Sequence, residues 1–208
     1  MKQLFVFLIC GAFIVPLAQA QTFFGNKTIK NATLHNASFI GPTHLRKVTA
    51  ESLSVMGPLE FHDLRVTGDA EIKGPVTNSE SGTFGLLKIT GPFIANDVAC
   101  EQLDVEGPVN VSGLRVSDET NIVGPLEVRQ SQFQGLNILA DEISLEDVDV
   151  NDINVDWVKA KHERQVLRLK GNTIVMGNIV FKSGKGIIKQ GPNVKIRGEI
   201  TGATVEKK

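Results

Sequence analysis

The segment "LADEISLEDVDVNDINVD" contains side chains that bind metal ions in other proteins. Asp147, Asp149 and Asp152 alternate in it with apolar residues. Carboxylate oxygens are preferred ligands of Ca²⁺, so these three aspartates are candidate calcium ligands. The segment lacks the glycine-rich pattern of calcium-binding β-rolls, and a solvated acidic face is the alternative interpretation.

The remaining reactive side chains do not form a recognisable catalytic set. His35, His44, His62 and His162 are far apart, without the close spacing to a second His or Cys that metal sites use. Cys100 falls in an apolar alternation, which predicts a buried thiol; a reactive thiol would need exposure. No nucleophile with a base, phosphate-binding loop or metal motif occurs, so we predict no enzyme, no catalytic residue and no cofactor.

Composition argues against nucleic acid as a partner. The formal net charge is -1, with acids and bases interspersed, whereas a nucleic-acid binder needs a basic stripe. Tyr is absent and Trp157 is the single Trp. Sites for single-stranded nucleic acid and for sugars usually contain aromatic platforms, so the scarcity of rings weakens both interpretations.

The first twenty residues have the organisation of an export signal. Lys2 precedes the apolar run "LFVFLICGAFIV", Pro16 interrupts it, and "AQA" ends at Ala20. This order predicts a signal peptide over 1–20 that is cleaved after Ala20, and an exported product in the periplasm, on the cell surface or outside the cell. No later stretch is long and apolar enough to span a bilayer, so the mature chain is expected to have no transmembrane segment.

Two alternatives remain for the N-terminus. Cys10 could be the acylated residue of a lipoprotein, although Ile9 stands where a small residue is expected. The apolar run could also be retained as an anchor. After cleavage Cys100 would be the only cysteine, which predicts a fold without internal disulfides.

A Gly-Pro pair recurs at nearly constant spacing through the middle of the chain. Successive pairs are separated by steps of 16, 17, 17, 16 and 17 along the sequence, and a fixed period indicates a repeat architecture. Gly suits a corner, and Pro suits the first position of a strand, where no N–H donor is needed. The structural residues predicted in this way are Gly41, Pro42, Gly57, Pro58, Gly74, Pro75, Gly91, Pro92, Gly107, Pro108, Gly124 and Pro125.

Each step contains three short apolar-x-apolar units, as in "LEFHDLRV" after Pro58. Alternation with period two places both apolar side chains of a unit on one face of a strand. Three strands separated by corners make one turn of a coil whose apolar faces all point inward. The sequence therefore predicts an all-β, single-stranded parallel β-helix with about 16–17 residues per turn.

The apolar register extends beyond the Gly-Pro pairs on both sides. It predicts a solenoid domain over 21–158, with roughly eight turns from about residue 27 and a length of about 40 Å. Asn78 and Ser81 stand where apolar residues belong, which predicts either a hydrogen-bonded inward site or a bulge. The segment "KAKHERQ" predicts a hairpin tip or a short helix. Residues 159–208 are predicted to be β-rich and to cap the solenoid or continue it in a few irregular turns.

The phrases "VTGDAEIKGPV" and "VKIRGEITGATV", together with the period of about 17, resemble bactofilins, the polymer-forming β-helix proteins of bacteria. The resemblance implies a right-handed coil and end-to-end polymerisation without nucleotide. Bactofilins are typically cytosolic, and the recurrent Gly-Pro is not typical of them.

These observations predict an exported, non-enzymatic structural or interaction module. Its partners would be further copies joined end to end, an envelope or extracellular protein, or a glycan. A polysaccharide-binding surface protein is the alternative. A β-helix carbohydrate-active enzyme is less compatible, because the short turns of the predicted coil leave corners too short to wall a cleft.

Overall fold

The computed structural model describes residues 20–78, 80–157 and 164–207. In these residues the chain is all-β and winds as a β-solenoid of about 11 turns, without a helix. No described segment forms a helix with the length and hydropathy needed to cross a membrane. The predicted signal peptide except Ala20, with Cys10 in it, and most of "KAKHERQ", including His162, lie outside the described residues.

The strands follow one another with short corners. The first eleven are β1 (Gln21–Phe24), β2 (Lys27–Ile40), β3 (Thr43–Met56), β4 (Leu59–Val66), β5 (Ala70–Lys73), β6 (Val76–Asn78), β7 (Gly82–Thr90), β8 (Phe93–Asn96), β9 (Val98–Glu106), β10 (Val109–Ser112) and β11 (Arg115–Val116). The next are β12 (Thr120–Val123), β13 (Leu126–Arg129), β14 (Gln132–Leu139), β15 (Glu142–Glu146), β16 (Asp149–Val155), β17 (Val166–Lys170), β18 (Ile174–Val175), β19 (Ile179–Phe181), β20 (Gly186–Gln190), β21 (Lys195–Ile196), β22 (Ile200–Thr201) and β23 (Ala203–Lys207).

Every complete turn of the described coil contributes one strand segment to each of three faces. Face A holds the segments that follow the Gly-Pro corner, such as 43–46 and 59–62. Face B holds the next segments, such as 48–50 and 64–66, and face C holds the third, such as 53–56 and 70–73. All pairing is parallel and joins neighbouring turns; Leu53 pairs with Ala70, for example. The predicted fold class is therefore confirmed.

The interior is a single apolar core shared by all turns. Residues in register on successive turns stack above one another, and each such stack is called a core column here. Phe39, Val55, Ile72 and Ile89 form part of one core column, and each is at most 1% exposed. Burial of such side chains from water provides the main stabilisation of the coil.

The coil is longer than the sequence pattern indicates at both ends. At the start, β1 pairs with Ala37–Ile40, and the ring of Phe23 stacks on Phe39 with centroids 4.7 Å apart. At the other end, β17 pairs with β15 and β20 with β17, so the C-terminal region continues the coil. Its turns are longer than the predicted period, because Leu167 has Ile188 as its partner on the next turn.

The irregular turn around Asn78 keeps its pairing with the help of a side chain. Asn78 donates from Nδ2 to the carbonyl of Asn96 and accepts its N–H at Oδ1, both at 2.7 Å. The prediction that Ser81 occupies an apolar position is wrong. Gly82 takes that core position between Leu64 and Val98, since the rings of Phe61 and Phe84 fill the space that a side chain would need.

Candidate interaction surfaces

The Gly-Pro corners stack directly above one another along one edge of the coil. The six glycines have φ between 124° and 152°. A Cβ on Gly57 would lie 2.7 Å from the carbonyl oxygen of Gly41, and the other five have the same relation to the glycine before them, the first being Gly25. Only glycine allows this approach of backbone to backbone.

Hydrogen bonds on both sides of each proline hold these corners in register. The N–H of Gly57 donates to the backbone carbonyl of Lys73 at 2.9 Å, and the N–H of Leu59 donates to that of Pro75 at 2.9 Å. Pro58, the residue between them, has no backbone N–H and therefore needs no acceptor. Proline therefore fits the one backbone position of the corner that makes no bond to the next turn.

A shallow groove of about 530 Å³ runs beside the later prolines on face A. Its apolar lining includes Pro92, Pro108 and Pro125. Ile94, which is 52% exposed, lies near one end of the groove. At the other end an ion pair joins Arg168 Nη2 to Glu142 Oε1 at 3.4 Å. The groove crosses several turns, so its shape suits an extended chain lying along the coil.

The three candidate calcium ligands lie at separate places on the surface. Asp147 Oδ1 accepts the backbone N–H of Asn172, and Asp152 Oδ1 accepts that of Asn178, both at 2.8 Å. Asp149 is exposed on face B. Among the described residues no three His, Cys, Asp or Glu side chains are placed to hold a metal ion. Calcium binding remains a prediction without geometric support, while Asp147 and Asp152 stabilise corners.

The three described histidines each contact a glutamate on the next turn. His35 and Glu51 are 3.1 Å apart, His44 and Glu60 are 3.0 Å apart, and His62 and Glu80 are 3.1 Å apart. All three contacts are at the surface, where an ion pair contributes little to stability. They link neighbouring turns and do not converge on one site.

Cys100 lies inside the coil between Phe84 and Val116 of its core column. It is 6% exposed, and burial raises the pKa of its thiol from 9.0 to about 12. A neutral, covered thiol is a poor nucleophile. The side chain therefore packs as a small apolar residue at this position.

Two polar arrangements were not anticipated from the sequence. One residue at the corner between faces A and B has positive φ in most turns: Asn31, Lys47, Asp63, Asp97, Gly113, Gln130 and Asp147. Asn and Asp tolerate this conformation better than other non-glycine residues. The recurrence of Asn and Asp at these corners is the sequence feature from which the positive φ could have been predicted.

The second arrangement is a row of amides on face C. Asn121 donates to Asp104 at 2.9 Å, Asn137 to Asn121 at 3.0 Å, and Asn154 to Asn137 at 3.1 Å. Side chains that repeat at the strand spacing of the coil can bond to one another in this way. The row links four turns on the outside of the coil.

The two ends of the described coil present core positions to solvent. Phe23 and Ile29 are only partly covered at the first turn, and Ile196 and Ile200 at the last. Val205 is 39% exposed although it belongs to the core column of Ile188. In the described residues β1, β21, β22 and β23 each pair with a neighbour on one side only.

Comparison with known proteins gives no family. No protein-family model matches the chain, and neither a curated protein nor a solved structure matches it. The resemblance to bactofilins is therefore supported at the level of the β-solenoid fold alone.

Proposed function

We propose that the protein is an exported, non-enzymatic structural module that works by associating with further copies of itself. The observation that carries the proposal lies at the two ends of the described coil, where Phe23 and Ile29 are partly uncovered at one end and Ile200 and Val205 at the other. Unpaired strand edges and uncovered apolar side chains are the features through which β-proteins add to one another.

The shape of the coil supports a scaffold more than a catalyst. The Gly-Pro corners are two residues long and leave no loop to build a cleft. About 11 turns at the usual strand spacing give a rod of roughly 50 Å. Its continuous hydrogen-bonded ladders make such a rod stiff, and export would place it in the periplasm or outside the cell, where stiffness is useful in an assembly.

Sedimentation of the mature chain, residues 21–208, over a hundredfold range of about micromolar concentrations tests the proposal. We expect species larger than the monomer, with a fraction that rises with concentration. A monomer at every concentration would overturn self-association. Circular dichroism on the same samples confirms that the chain is folded.

Binding of an extended polysaccharide is the second candidate. The groove beside Pro92, Pro108 and Pro125 favours it, because it follows the coil across several turns and ends at charged residues. Affinity electrophoresis through gels containing neutral or acidic glycans tests it. Retardation that is lost in Ile94→Asp, and kept in a variant on another face such as Lys88→Ala, would support this role. Unchanged mobility in all gels would overturn it.

A further inference from the structure

Charged residues are segregated into three bands along the rod. Residues 20–50 contain four Lys or Arg and no Asp or Glu, whereas residues 51–157 contain 20 Asp or Glu and five Lys or Arg. Residues 164–207 contain nine Lys or Arg and two Asp or Glu. Because the turns follow the sequence in order, both ends of the described coil are basic and its middle is acidic. The description of acids and bases as interspersed along the chain is therefore wrong, because they are segregated in bands.

Much of the charge at the two ends is free to meet a partner. Lys30, Arg46 and Lys47 are exposed in the first turns, and Lys195 and Arg197 are exposed near the last. None of these five forms an ion pair with another described residue. The acidic band is about 30 Å long at the usual strand spacing. It is long enough to face a whole basic end of a neighbouring rod.

Stacking of one rod on the end of another meets an obstacle at each end. Among the described residues, Lys27 is the first member of the core column that continues with Thr43 and Leu59. Lys207 holds the last position of the column that contains Leu169 and Gln190. Stacking would bring both ammonium groups against an apolar interior, where burial of an unpaired charge is costly. Inward-pointing charges are a known way of preventing addition at a strand edge.

We propose that copies associate side by side with a stagger, the basic end of one rod lying against the acidic middle of the next. This inference rests on the proposed self-association, but it assigns the contact to the sides of the rods, because Lys27 and Lys207 oppose addition at the ends. Opposite charges then face each other along the contact, while blunt stacking of like-charged ends is avoided. The screening length is about 10 Å in 0.1 M salt, comparable to the width of an end band. A neighbouring rod therefore experiences the charge of each band separately.

The sign of the salt dependence separates the two geometries. Staggered packing weakens as salt screens opposite charges, whereas end-on stacking of basic ends strengthens. We expect the association constant from sedimentation to fall at least about tenfold between about 0.1 M and about 1 M NaCl, where the screening length is about 3 Å. Association that grows with salt would overturn the staggered geometry and leave self-association standing. A monomer at both salt concentrations would overturn both.

A matched pair of charge reversals locates the contact. Lys195→Glu with Arg197→Glu reverses two exposed charges at a basic end, and Lys88→Glu with Arg115→Glu makes the same change of charge within the acidic band. We expect the end variant to lose at least about tenfold in association at about 0.1 M salt, and the middle variant to lose nothing. Equal losses in the two variants, with both chains folded by circular dichroism, would overturn the proposal.

Discussion

Two buried threonines in the core have opposite energetic consequences. Thr43 is 1% exposed, and its Oγ1 donates to the carbonyl of Gly41 at 3.0 Å. Thr120 is fully buried in the column of Leu103, and its Oγ1 has no hydrogen-bond partner among the described residues. A buried hydroxyl without a partner costs free energy, whereas a bonded one contributes to stability.

Replacement of each threonine by valine should therefore change stability in opposite directions. Thr120→Val removes an unsatisfied hydroxyl while keeping the shape, so we expect the free energy of unfolding to rise by about 1 kcal/mol. Thr43→Val removes a hydrogen bond and should lower it by about 1 kcal/mol. Urea denaturation followed by circular dichroism measures both. A loss of stability in Thr120→Val would show that the hydroxyl has a partner.

The buried thiol gives the protein a specific alkaline response. Burial raises the pKa of Cys100 from 9.0 to about 12, so the folded state keeps its proton where the unfolded chain releases it. This contribution is complete below pH 9.0 and is lost as the pH rises toward 12. We expect the melting temperature to fall more between these values in the native protein than in Cys100→Ala, which packs as Ala50 does in the same column.

The two proteins share every other titrating group, so lysine deprotonation affects both equally. A thiol reagent such as Ellman's should react with Cys100 only after denaturation. Rapid reaction in the folded state, or identical alkaline melting curves for the two proteins, would contradict the buried position.

At the scale of the strand and its corners, the glycine stack decides whether successive turns can close on one another. Gly57 has φ 138°, and its hydrogen atoms occupy the space next to the Gly41 carbonyl. Gly135, within β14, has no positive φ, and a Cβ added to it would meet no atom within 4 Å. The two glycines thus differ in the space around them and in backbone conformation.

Alanine at these two positions should separate corner geometry from glycine flexibility. Gly57→Ala places a methyl group 2.7 Å from a backbone oxygen, so we expect a loss of about 2–4 kcal/mol in the free energy of unfolding. Gly135→Ala should be neutral or stabilise by up to about 1 kcal/mol, since it restricts the unfolded chain. Thermal melting compares them. Similar effects at both positions would mean that the stack of glycines is not required.

The strands were predictable where a single alternation decides the structure, and less so where two side chains compensate for each other. The register of Val109, Val111, Leu114 and Val116 follows from apolar spacing alone, and all four are buried. The position of Gly82 in the core does not follow from apolar spacing, because it depends on the rings of Phe61 and Phe84, which fill the same space from other positions. The hydrogen bonds of Asp147 and Asp152 to a later turn also require knowledge of that turn.

The whole molecule shows what a local pattern cannot indicate. The C-terminal turns keep the coil with a longer period, since Ile174 pairs with Lys195, and the spacing of the Gly-Pro pairs gives no sign of this change. The clusters of charge can be counted in the sequence. They define regions of the surface only once it is known that the chain order is the order along the axis of the coil. In a solenoid, distance along the sequence becomes distance along the rod, so charge segregation becomes a property of the surface.

A solenoid also predicts an unusual response to deletion, because each turn contacts only its neighbours. Removal of residues 108–124 joins Gly107 to Pro125 and deletes one whole period. Val109 and Leu126 pair in register, so Leu126 can take over the position of Val109 above Phe93. We expect a folded chain with a circular dichroism spectrum per residue like that of the full protein and a melting temperature lower by a few degrees.

The matched control is a smaller deletion, residues 108–115, which removes about half a turn. It shifts every later strand to the wrong face, places outward polar side chains in the core columns, and should prevent cooperative melting of the later turns. The larger deletion is therefore the less harmful one, in contrast to a globular domain with one non-repeating core. If loss of residues 108–124 unfolds the chain as completely as loss of residues 108–115, the turns do not act as interchangeable units.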